Sequence, residues 1–307
     1  MVTKAVEKRD LVVIGGGPAG LSAALVASSN FMTCLVLEKS LVIGGQIRLA
    51  DAPVLDVLGQ PADNGLALIE HFRGQIEERS EVSIRCGAGV QTISRTEQGF
   101  SLKLDNDQDL IANAIILATG TQPRTLNIPG SDVINSHEHA RSIVDEFAGK
   151  SVTVIGGGDE ASDIAVCLAK AGAKVSVLVR SKLRARPRFS EPLLATEGIE
   201  ILEEVQATSI ESAGAGHTLH LSNGETLAAA EIFVRIGVEL AIPDIEPAPN
   251  RHEDGRLKID DFGRTSIPGL YAAGDICRHP EQWYVAVAMA DGTIAARAVE
   301  DDRYAET

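Results

Sequence analysis

The sequence predicts an α/β protein built from two Rossmann-like, three-layer dinucleotide-binding domains. Two observations lead to this class. A β-branched run that ends in glycines and leads into a helix occurs at Leu11–Ile14 and returns at Ser151–Ile155. A second strand follows each helix, which completes the βαβ unit of a parallel sheet. The repeat is one of whole domains, and a length of 307 residues suits two of them.

The elements can be assigned in order from their hydrophobic patterns. In the first unit we expect a strand at Leu11–Ile14, a helix at Ala19–Ala27, a strand at Thr33–Leu37, antiparallel strands within Val82–Thr96 and at Phe100–Leu104, and a buried strand at Ala114–Ala118. In the second we expect a strand at Ser151–Ile155, a helix at Asp159–Lys170, and strands at Lys174–Val179 and Ile232–Ile236. Last come a strand entering a turn at Leu270–Asp275 and a helix at Val285–Glu300.

Charge and cysteine content narrow the class of function. The formal net charge of −15 argues against non-specific binding to nucleic acid or to an anionic membrane. No run of 18 apolar residues predicts a transmembrane helix. The four cysteines are far apart, which fits a cytoplasmic protein and gives no metal-ligand spacing. His137 and His139 lack a third ligand nearby, so we expect solvated side chains there and no metal.

The first glycine motif has the context that a dinucleotide site requires. Gly15, Gly17 and Gly20 form GxGxxG between a strand and a helix. The glycines allow a tight turn, close approach of a pyrophosphate, and close packing of helix on strand. Glu38 ends the next strand, where a carboxylate accepts hydrogen bonds from a ribose and repels a 2′-phosphate. The site therefore suits FAD or NAD.

The second motif predicts a different nucleotide. Gly156, Gly158 and Ala161 form a GxGxxA variant, and Arg180 stands at the matching strand end, with Arg184 close behind. Basic groups there favour the 2′-phosphate of NADPH over NADH. The alternative is a solvated basic loop.

Two acidic residues oppose this assignment. Asp159 and Glu160 begin the helix of the second motif, where carboxylates stabilise an empty helix N-terminus and compete with a pyrophosphate for the same amides. The competition depends on whether Glu160 points inward, which the sequence leaves open.

Taken together, the motifs resemble those of the low-molecular-weight thioredoxin reductase family over nearly the whole chain. The matching segments are Gly15-Gly-Gly-Pro-Ala-Gly20, Gly44-Gly-Gln-Ile47, Ala118-Thr-Gly120, Gly156-Gly-Gly158, and Thr265 to Asp275. The resemblance implies a discontinuous FAD-binding domain at 1–125 and 240–307. It also implies an inserted NAD(P)H-binding-like domain at 126–239, and a homodimer.

The resemblance also implies which residues would bind the cofactors. For FAD these are Gly15, Gly17, Pro18, Ala19, Gly20, Glu38, Lys39, Gly45, Gln46, Ile47, Val90, Ala118, Thr119, Gly120, Gly274, Asp275, Tyr284 and Val285. For NADPH they are Gly156, Gly158, Asp159, Glu160, Ala161, Arg180 and Arg184. The last helix would direct its N-terminus at the flavin pyrimidine, where reduction builds negative charge.

The chain departs from the family pattern at two places. The segment Ser131–Lys150, where thioredoxin reductases carry CxxC, contains no cysteine. This is closer to the branch without CxxC, which includes the thioredoxin-reductase-like ferredoxin–NADP reductases. Trp283 and Tyr284 replace an Arg-Gln pair, and these rings either flank the isoalloxazine or pack at a domain edge. Cys277 lies near the expected flavin, where a structural role is favoured over a reactive thiol.

The sequence therefore predicts a cytoplasmic FAD-dependent oxidoreductase that passes electrons from NADPH through flavin to an acceptor, without a dithiol relay. A ferredoxin-like redox protein is a plausible partner. The net charge of −15 argues against an acidic ferredoxin unless the basic segment Arg180–Arg188 forms its dock. Two alternatives stay open. One is an NADPH-independent flavoenzyme whose second site holds another ligand, such as a second flavin. The other is a flavin-bound redox sensor.

Overall fold

The computed structural model describes residues 6–50, 53–106, 108–134, 143–214 and 216–305. The chain divides into two compact units. The first comprises Met1–Ile47, Val54–Gln122 and Leu240–Thr307, and the second comprises Arg48–Pro53 and Pro123–Glu239.

The secondary structure alternates strands and helices in both units. The strands are β1 Glu7–Ile14, β2 Cys34–Leu37, β3 Val82–Arg85, β4 Val90–Thr96, β5 Gly99–Leu104, β6 Asp109–Leu117, β7 Thr121–Pro123, β8 Ser151–Ile155, β9 Lys174–Val179, β10 Ile199–Glu203, β11 Ala207–Ala213, β12 Gly216–Leu221, β13 Thr226–Ala229, β14 Glu231–Val234, β15 Val238–Leu240, β16 Asp244–Glu246 and β17 Leu270–Ala272. The α-helices are α1 Pro18–Ser29, α2 Gly65–Glu77, α3 Asp159–Lys170, α4 Pro187–Ala195 and α5 Val285–Ala305.

The first unit is centred on an eight-stranded sheet. Its order is β16-β4-β5-β6-β1-β2-β3, with β17 paired to β6. Strands β6, β1, β2 and β3 are parallel, whereas β4, β5 and the first half of β6 form an antiparallel meander. One edge of β6 is shared, because β5 pairs with residues 109–112 and β17 with residues 115–117. The carboxyl ends of β1, β2, β6 and β17 consequently meet at one end of the sheet.

Alternation along β1 explains how this sheet is buried on both faces. Val12 and Ile14 face a core that includes Phe100, Leu102 and Ile115. Leu11 and Val13 are also fully buried, as expected for a central strand covered on both sides. Helix α1 packs closely against α5. Helices from opposite ends of the sequence therefore lie side by side in the first unit.

The second unit repeats the pattern around a parallel sheet of order β10-β9-β8-β14. Val152 and Val154 of β8 face the core that contains α3 residues such as Ile164. Ile155 faces the opposite core, which is closed by the antiparallel sheet β11-β12-β13. The three layers are helices, parallel sheet and antiparallel sheet. Strands β7 and β15 form a separate two-stranded sheet.

The α/β class with Rossmann-like parallel sheets is confirmed, with local corrections. The segment Val82–Thr96 was expected to form antiparallel strands only. Its first part, β3, instead pairs in parallel with β2, and only β4 is antiparallel to β5. Helix α2, helix α4 and the β11–β13 sheet were not predicted, because their short segments lack the glycine motif between a strand and a helix that marks the two βαβ units.

Candidate functional site

The glycines after β1 divide into two kinds by what a side chain would meet. A Cβ on Gly15 would lie 2.3 Å from the Ala118 carbonyl oxygen, and one on Gly20 would lie 1.9 Å from the Gly15 carbonyl oxygen. Gly15 also has a φ of +109°, which favours glycine. A Cβ on Gly17 would meet only the Gly45 Cα, at 3.8 Å. Gly15 and Gly20 are thus required by the fold itself, whereas Gly17 leaves open space beside the loop.

That open space lies at the N-terminus of α1. Gly17 is the N-cap residue and supplies no side-chain cap, Pro18 is the first helical residue, and the first turn contains no acid. The free amides of such a turn, which include those of Ala19 and Gly20, attract an anion. The end of β1 therefore offers a place where a diphosphate group can approach the backbone.

Glu38 is held against the glycine loop. Its side chain accepts hydrogen bonds from the Gly16 amide (2.7 Å) and the Ser40 amide (2.8 Å). The residue is only 8% exposed. Lys39 beside it is exposed, and Val90 begins β4 just after Gly89, whose Cβ would approach the Lys39 side chain. A carboxylate ends β2 next to the glycine turn, as the motif predicts.

Two further loops reach the same end of the sheet. The Gly44 amide donates to the Gly16 carbonyl oxygen (2.7 Å), and a Cβ on Gly45 would lie 3.2 Å from the Gly17 Cα. The Gln46 Nε2 donates to the Thr121 carbonyl oxygen (2.8 Å). Ile47 follows in the same turn. The loop after β6 and the loop after β2 are thereby joined beside Gly17.

Two buried polar atoms in these loops have no hydrogen-bond partner among the residues that the structure describes. They are Oε1 of Gln46 and Oγ1 of Thr119. Buried polar atoms are normally paired, so a ligand with hydrogen-bonding groups would satisfy both. The flavin ring edge carries such groups. Together with the open side of Gly17 and the uncapped α1, this set of residues fits FAD.

The turn after β17 completes the arrangement. Gly274 has a φ of +77°, and its Cβ would lie 3.1 Å from the Ala19 Cβ. Asp275 follows it and is partly buried. Burial, together with the neighbouring Asp291, raises the pKa of Asp275 to about 6. The turn sits against the first turn of α1, so Asp275 lies at the same end of the sheet as Glu38.

The aromatic pair before α5 has two different environments. Trp283 is half-buried, and its Nε1 donates to the Arg278 carbonyl oxygen (3.0 Å). Tyr284 is 48% exposed, immediately before Val285 at the start of α5. Trp283 is anchored by the protein, while Tyr284 presents its ring outward. A role of either ring beside the flavin stays a prediction.

The second glycine motif repeats the division seen in the first. A Cβ on Gly156 would lie 2.1 Å from the Arg235 carbonyl oxygen, whereas one on Gly158 would meet nothing within 4 Å. Ala161 is buried, and a Cβ on Gly156 would lie 3.0 Å from the Ala161 Cβ. The second βαβ unit therefore has its own glycine loop with one open side.

The acids at the start of α3 are not equivalent. Asp159 accepts hydrogen bonds from the backbone amide and the Nε of Arg186, so its charge is partnered. Glu160 is exposed. The surrounding protein nevertheless removes enough water to raise the pKa of its carboxyl. The positive charge of Arg235 lowers this pKa, while the negative charges of Asp159 and Asp163 raise it further. The question left open by the sequence is answered in part: Glu160 does not turn into the core.

The two arginines predicted to recognise a 2′-phosphate lie close to this loop. Arg180 follows β9 and is exposed, as is Arg184. The Arg184 amide donates to the Gly157 carbonyl oxygen (2.7 Å), which fixes the basic segment beside the glycine turn. Among the described residues, neither guanidinium has a hydrogen-bond or ion-pair partner.

Two of the four cysteines are buried within the first unit. Cys34 and Cys277 are buried, and burial raises the pKa of each thiol to about 12. The Cys277 Sγ donates to the Gly274 carbonyl oxygen (3.1 Å). A thiol in this state is not a nucleophile at neutral pH. His137 and His139 lie outside the described residues, and within those described no cluster of three or more potential metal ligands occurs.

No helix in the part of the chain that the structure describes is both long and apolar enough to cross a bilayer.

Comparison with known proteins agrees with this geometry. The family model "Pyridine nucleotide-disulphide oxidoreductase" matches residues 9–290. The chain is 30% identical to a ferredoxin–NADP reductase of Ignicoccus hospitalis over 94% of this chain and 95% of the relative. It is 31% identical to a thioredoxin reductase of Peptoclostridium litorale over 97% of each. The crystal structure of Lactococcus lactis thioredoxin reductase matches with a TM-score of 0.82 and 27% identity, over 95% of this chain and 98% of that one.

The chain belongs to the pyridine nucleotide-disulphide oxidoreductase family. The predicted resemblance and the assignment as an oxidoreductase are thereby confirmed. FAD and NADPH, which the sequence predicts as cofactors, are those used by family members of the thioredoxin reductase and ferredoxin–NADP reductase type.

Sequence reasoning missed two ion pairs that shape these loops. One joins Arg186 to Asp159, and the other joins Arg278 to Asp291. The Arg278–Asp291 pair could have been suspected from the sequence, because Asp291 interrupts an alanine-rich apolar stretch of the last helix. The Arg186–Asp159 pair gave no such indication, since its partners lie 27 residues apart in an otherwise ordinary basic loop.

Proposed function

We propose that this protein passes electrons from NADPH through FAD to a redox-protein acceptor of the ferredoxin type, without a dithiol relay. The observation that carries the proposal is the pair of unpartnered buried atoms on Gln46 and Thr119, beside the open face of Gly17. The proposal assigns FAD binding to 1–125 and 240–307 and NADPH binding to 126–239. The named relatives support the same class of reaction.

Each part of the first unit has a role in holding FAD. The amides of Ala19 and Gly20 at the start of α1 would receive the diphosphate, and Glu38 would accept from the adenosine ribose. Gln46 and Thr119 would pair with the polar edge of the ring. Once bound, FAD supplies the exchange between hydride transfer and single-electron transfer.

The start of α5 has an electrostatic role toward the same ring. Its first turn contains no acid, so the partial positive charge of the helix N-terminus is not cancelled locally. Val285 and the residues after it would stabilise negative charge that develops on the bound cofactor.

In the second unit, Gly158 leaves room for the NADPH pyrophosphate, and Arg180 and Arg184 would pair with its 2′-phosphate. Electrons would then leave for the acceptor directly, because the sequence holds no CxxC pair. We also propose that the protein is cytoplasmic and homodimeric, in line with the family resemblance and with four cysteines that form no disulfide.

One observation favours a second candidate function. Glu160 stands at the N-terminus of α3, where its charge would repel a pyrophosphate. This favours an NADPH-independent flavoprotein, which is either a flavoenzyme with another ligand in the second site or a flavin-bound redox sensor.

Anaerobic mixing of the FAD-loaded protein with NADPH tests the proposal. Bleaching of the flavin absorbance, faster with NADPH than with NADH, is the expected result. A protein that binds FAD but is reduced by neither nucleotide would establish the second candidate if another donor supports turnover. Failure of every donor would leave the sensor, and a protein that takes up no FAD would exclude all three.

A further inference from the structure

The last helix contributes the buried carboxylate of an ion pair that the proposed electron path does not use. The side chain of Asp291 in α5 is 4% exposed, and Arg278 engages it through two nitrogens. The Arg278 Nε lies 2.9 Å from Oδ2 and the Nη2 lies 2.7 Å from Oδ1. This is the parallel two-bond geometry in which arginine–carboxylate pairs are strongest.

The same carboxylate is bonded to the cofactor-side turn. Asp291 Oδ2 accepts the Gly274 amide at 3.2 Å. The Gly274 carbonyl oxygen accepts the Cys277 amide at 3.1 Å, and the preceding Ala273 amide donates to the Leu117 carbonyl oxygen at 2.9 Å. The turn is therefore fixed to α5, to itself and to β6.

The residues around Asp291 indicate that the ion pair positions the turn at Gly274 more than it stabilises the fold. Asp291 shares the buried side of α5 with Gly292, Ala295 and Ala296, so an alanine there would be the simple solution for packing. A buried ion pair adds little net stability compared with an apolar replacement. Its bonds, however, define one geometry for the turn that carries Asp275.

We propose that the Arg278–Asp291 pair is a positioning device that holds the Gly274–Asp275 turn in the conformation that receives the diphosphate and ribityl part of FAD. This inference rests on the proposed function, because it assumes that the turn contacts FAD. Arg278 and Asp291 act through the turn and touch no reacting atom.

The test compares two substitutions in the same helix. Asp291→Asn keeps the size of the side chain and an oxygen for the Gly274 amide, but it removes the charge that orients Arg278. Asp302→Asn is the matched control, since Asp302 also forms a two-bond pair, with Arg264 at 2.8 and 2.7 Å. It lies about three helical turns further along α5, where it also accepts a hydrogen bond from the Tyr271 hydroxyl. The measurements are the FAD dissociation constant, from quenching of flavin fluorescence on titration, and the melting temperature without FAD.

We expect Asp291→Asn to weaken FAD binding at least tenfold and Asp302→Asn to change it less than twofold, at similar melting temperatures. Equal losses of affinity in both variants, or an unchanged affinity in Asp291→Asn, would overturn the proposal. If Asp291→Asn does not fold, Arg278→Lys decides instead: it keeps the charge but not the two-bond geometry, and an affinity equal to wild type would overturn the proposal. A wild-type protein that binds no FAD overturns the proposed function itself, which separates the two failures.

Discussion

Gly17 and Gly292 show how the role of a glycine depends on what surrounds it. A Cβ on Gly292 would lie 2.0 Å from the Ala19 carbonyl oxygen, while one on Gly17 would be in ordinary contact with Gly45. Gly292→Ala should therefore destabilise the protein by about 1–3 kcal/mol through overpacking, although alanine is the better helix former. Urea denaturation measures this, and a variant as stable as wild type would contradict the packing geometry.

In contrast to Gly292→Ala, Gly17→Val is expected to impair binding of FAD and to leave the stability of the fold nearly unchanged. The fold should persist, because no protein atom blocks the new side chain closely, but the side chain would occupy the approach of the diphosphate. We expect FAD affinity to fall at least tenfold while the melting temperature of the flavin-free protein changes by only a few degrees. Unchanged FAD content in purified Gly17→Val would place the cofactor elsewhere.

Asp275 should make the flavin-free protein less stable as pH rises. Its folded-state pKa is about 6, against an ordinary value of 3.8, so the folded chain holds a proton that the unfolded chain has released. The cost of ionising Asp275 is absent below about pH 3.8, grows between there and pH 6, and is complete above pH 6. Asp275→Asn removes it, and should raise the unfolding free energy at pH 7.5 by up to about 3 kcal/mol. The gain should vanish near pH 4, and a gain independent of pH would show that ionisation is not its cause.

Cys277 should be dispensable for electron transfer. Its thiol is buried and has a pKa raised to about 12, so it is not a thiolate at neutral pH. Cys277→Ala should retain FAD and NADPH-dependent turnover, with at most a modest loss of stability from the missing Sγ. Loss of turnover with FAD still bound would restore a thiol mechanism.

At the scale of single elements, the N-terminus of α3 brings opposite charges to the second glycine loop. In the proposed function, Arg180 and Arg184 would attract a 2′-phosphate, while Glu160 would repel the pyrophosphate. Glu160→Ser should tighten NADPH binding about tenfold, equivalent to about 1.4 kcal/mol. Because the pKa of Glu160 is raised, wild-type affinity should also improve as pH falls, and the variant should lose that dependence. Flavin reduction rates across a pH series measure both effects.

Arg180→Ala provides the complementary test. It should abolish the preference for NADPH over NADH while leaving reduction by NADH unchanged. A preference that survives in this variant would assign recognition of the 2′-phosphate to Arg184 or to another group.

The elements also show what the sequence could and could not predict. Gly15, Gly156 and Glu38 were recognisable because strand, turn and helix follow one another locally, and each glycine has a steric requirement. The contact of Gln46 with Thr121 and the bond from Gly274 to Asp291 join segments that are distant in the chain. No local pattern encodes such pairs, so only the family resemblance predicted that these loops converge, and the bonds that join them were not predicted.

For the whole molecule, the sequence contains no CxxC pair, and in the proposed function the electrons therefore pass from the flavin directly to the acceptor. We expect the FAD-loaded protein to reduce a one-electron acceptor protein with NADPH and to leave the disulfide of thioredoxin essentially unreduced. Parallel assays with ferredoxin and thioredoxin measure this. Efficient thioredoxin reduction would require a dithiol that none of the four separated cysteines supplies.

The divided edge of β6 has a consequence for the order in which the chain is assembled during synthesis. Residues 109–112 find their partner in β5 at once, but residues 115–117 wait for β17, which emerges only after the second unit's strands have all been made. Local pairings form before distant ones because short loops cost less entropy to close. The parallel sheet of the second unit can therefore form on the ribosome while the first unit is still open along β6. The nascent chain therefore acquires its turn at Gly274, which in the proposed function contacts FAD, only after β17 has been made.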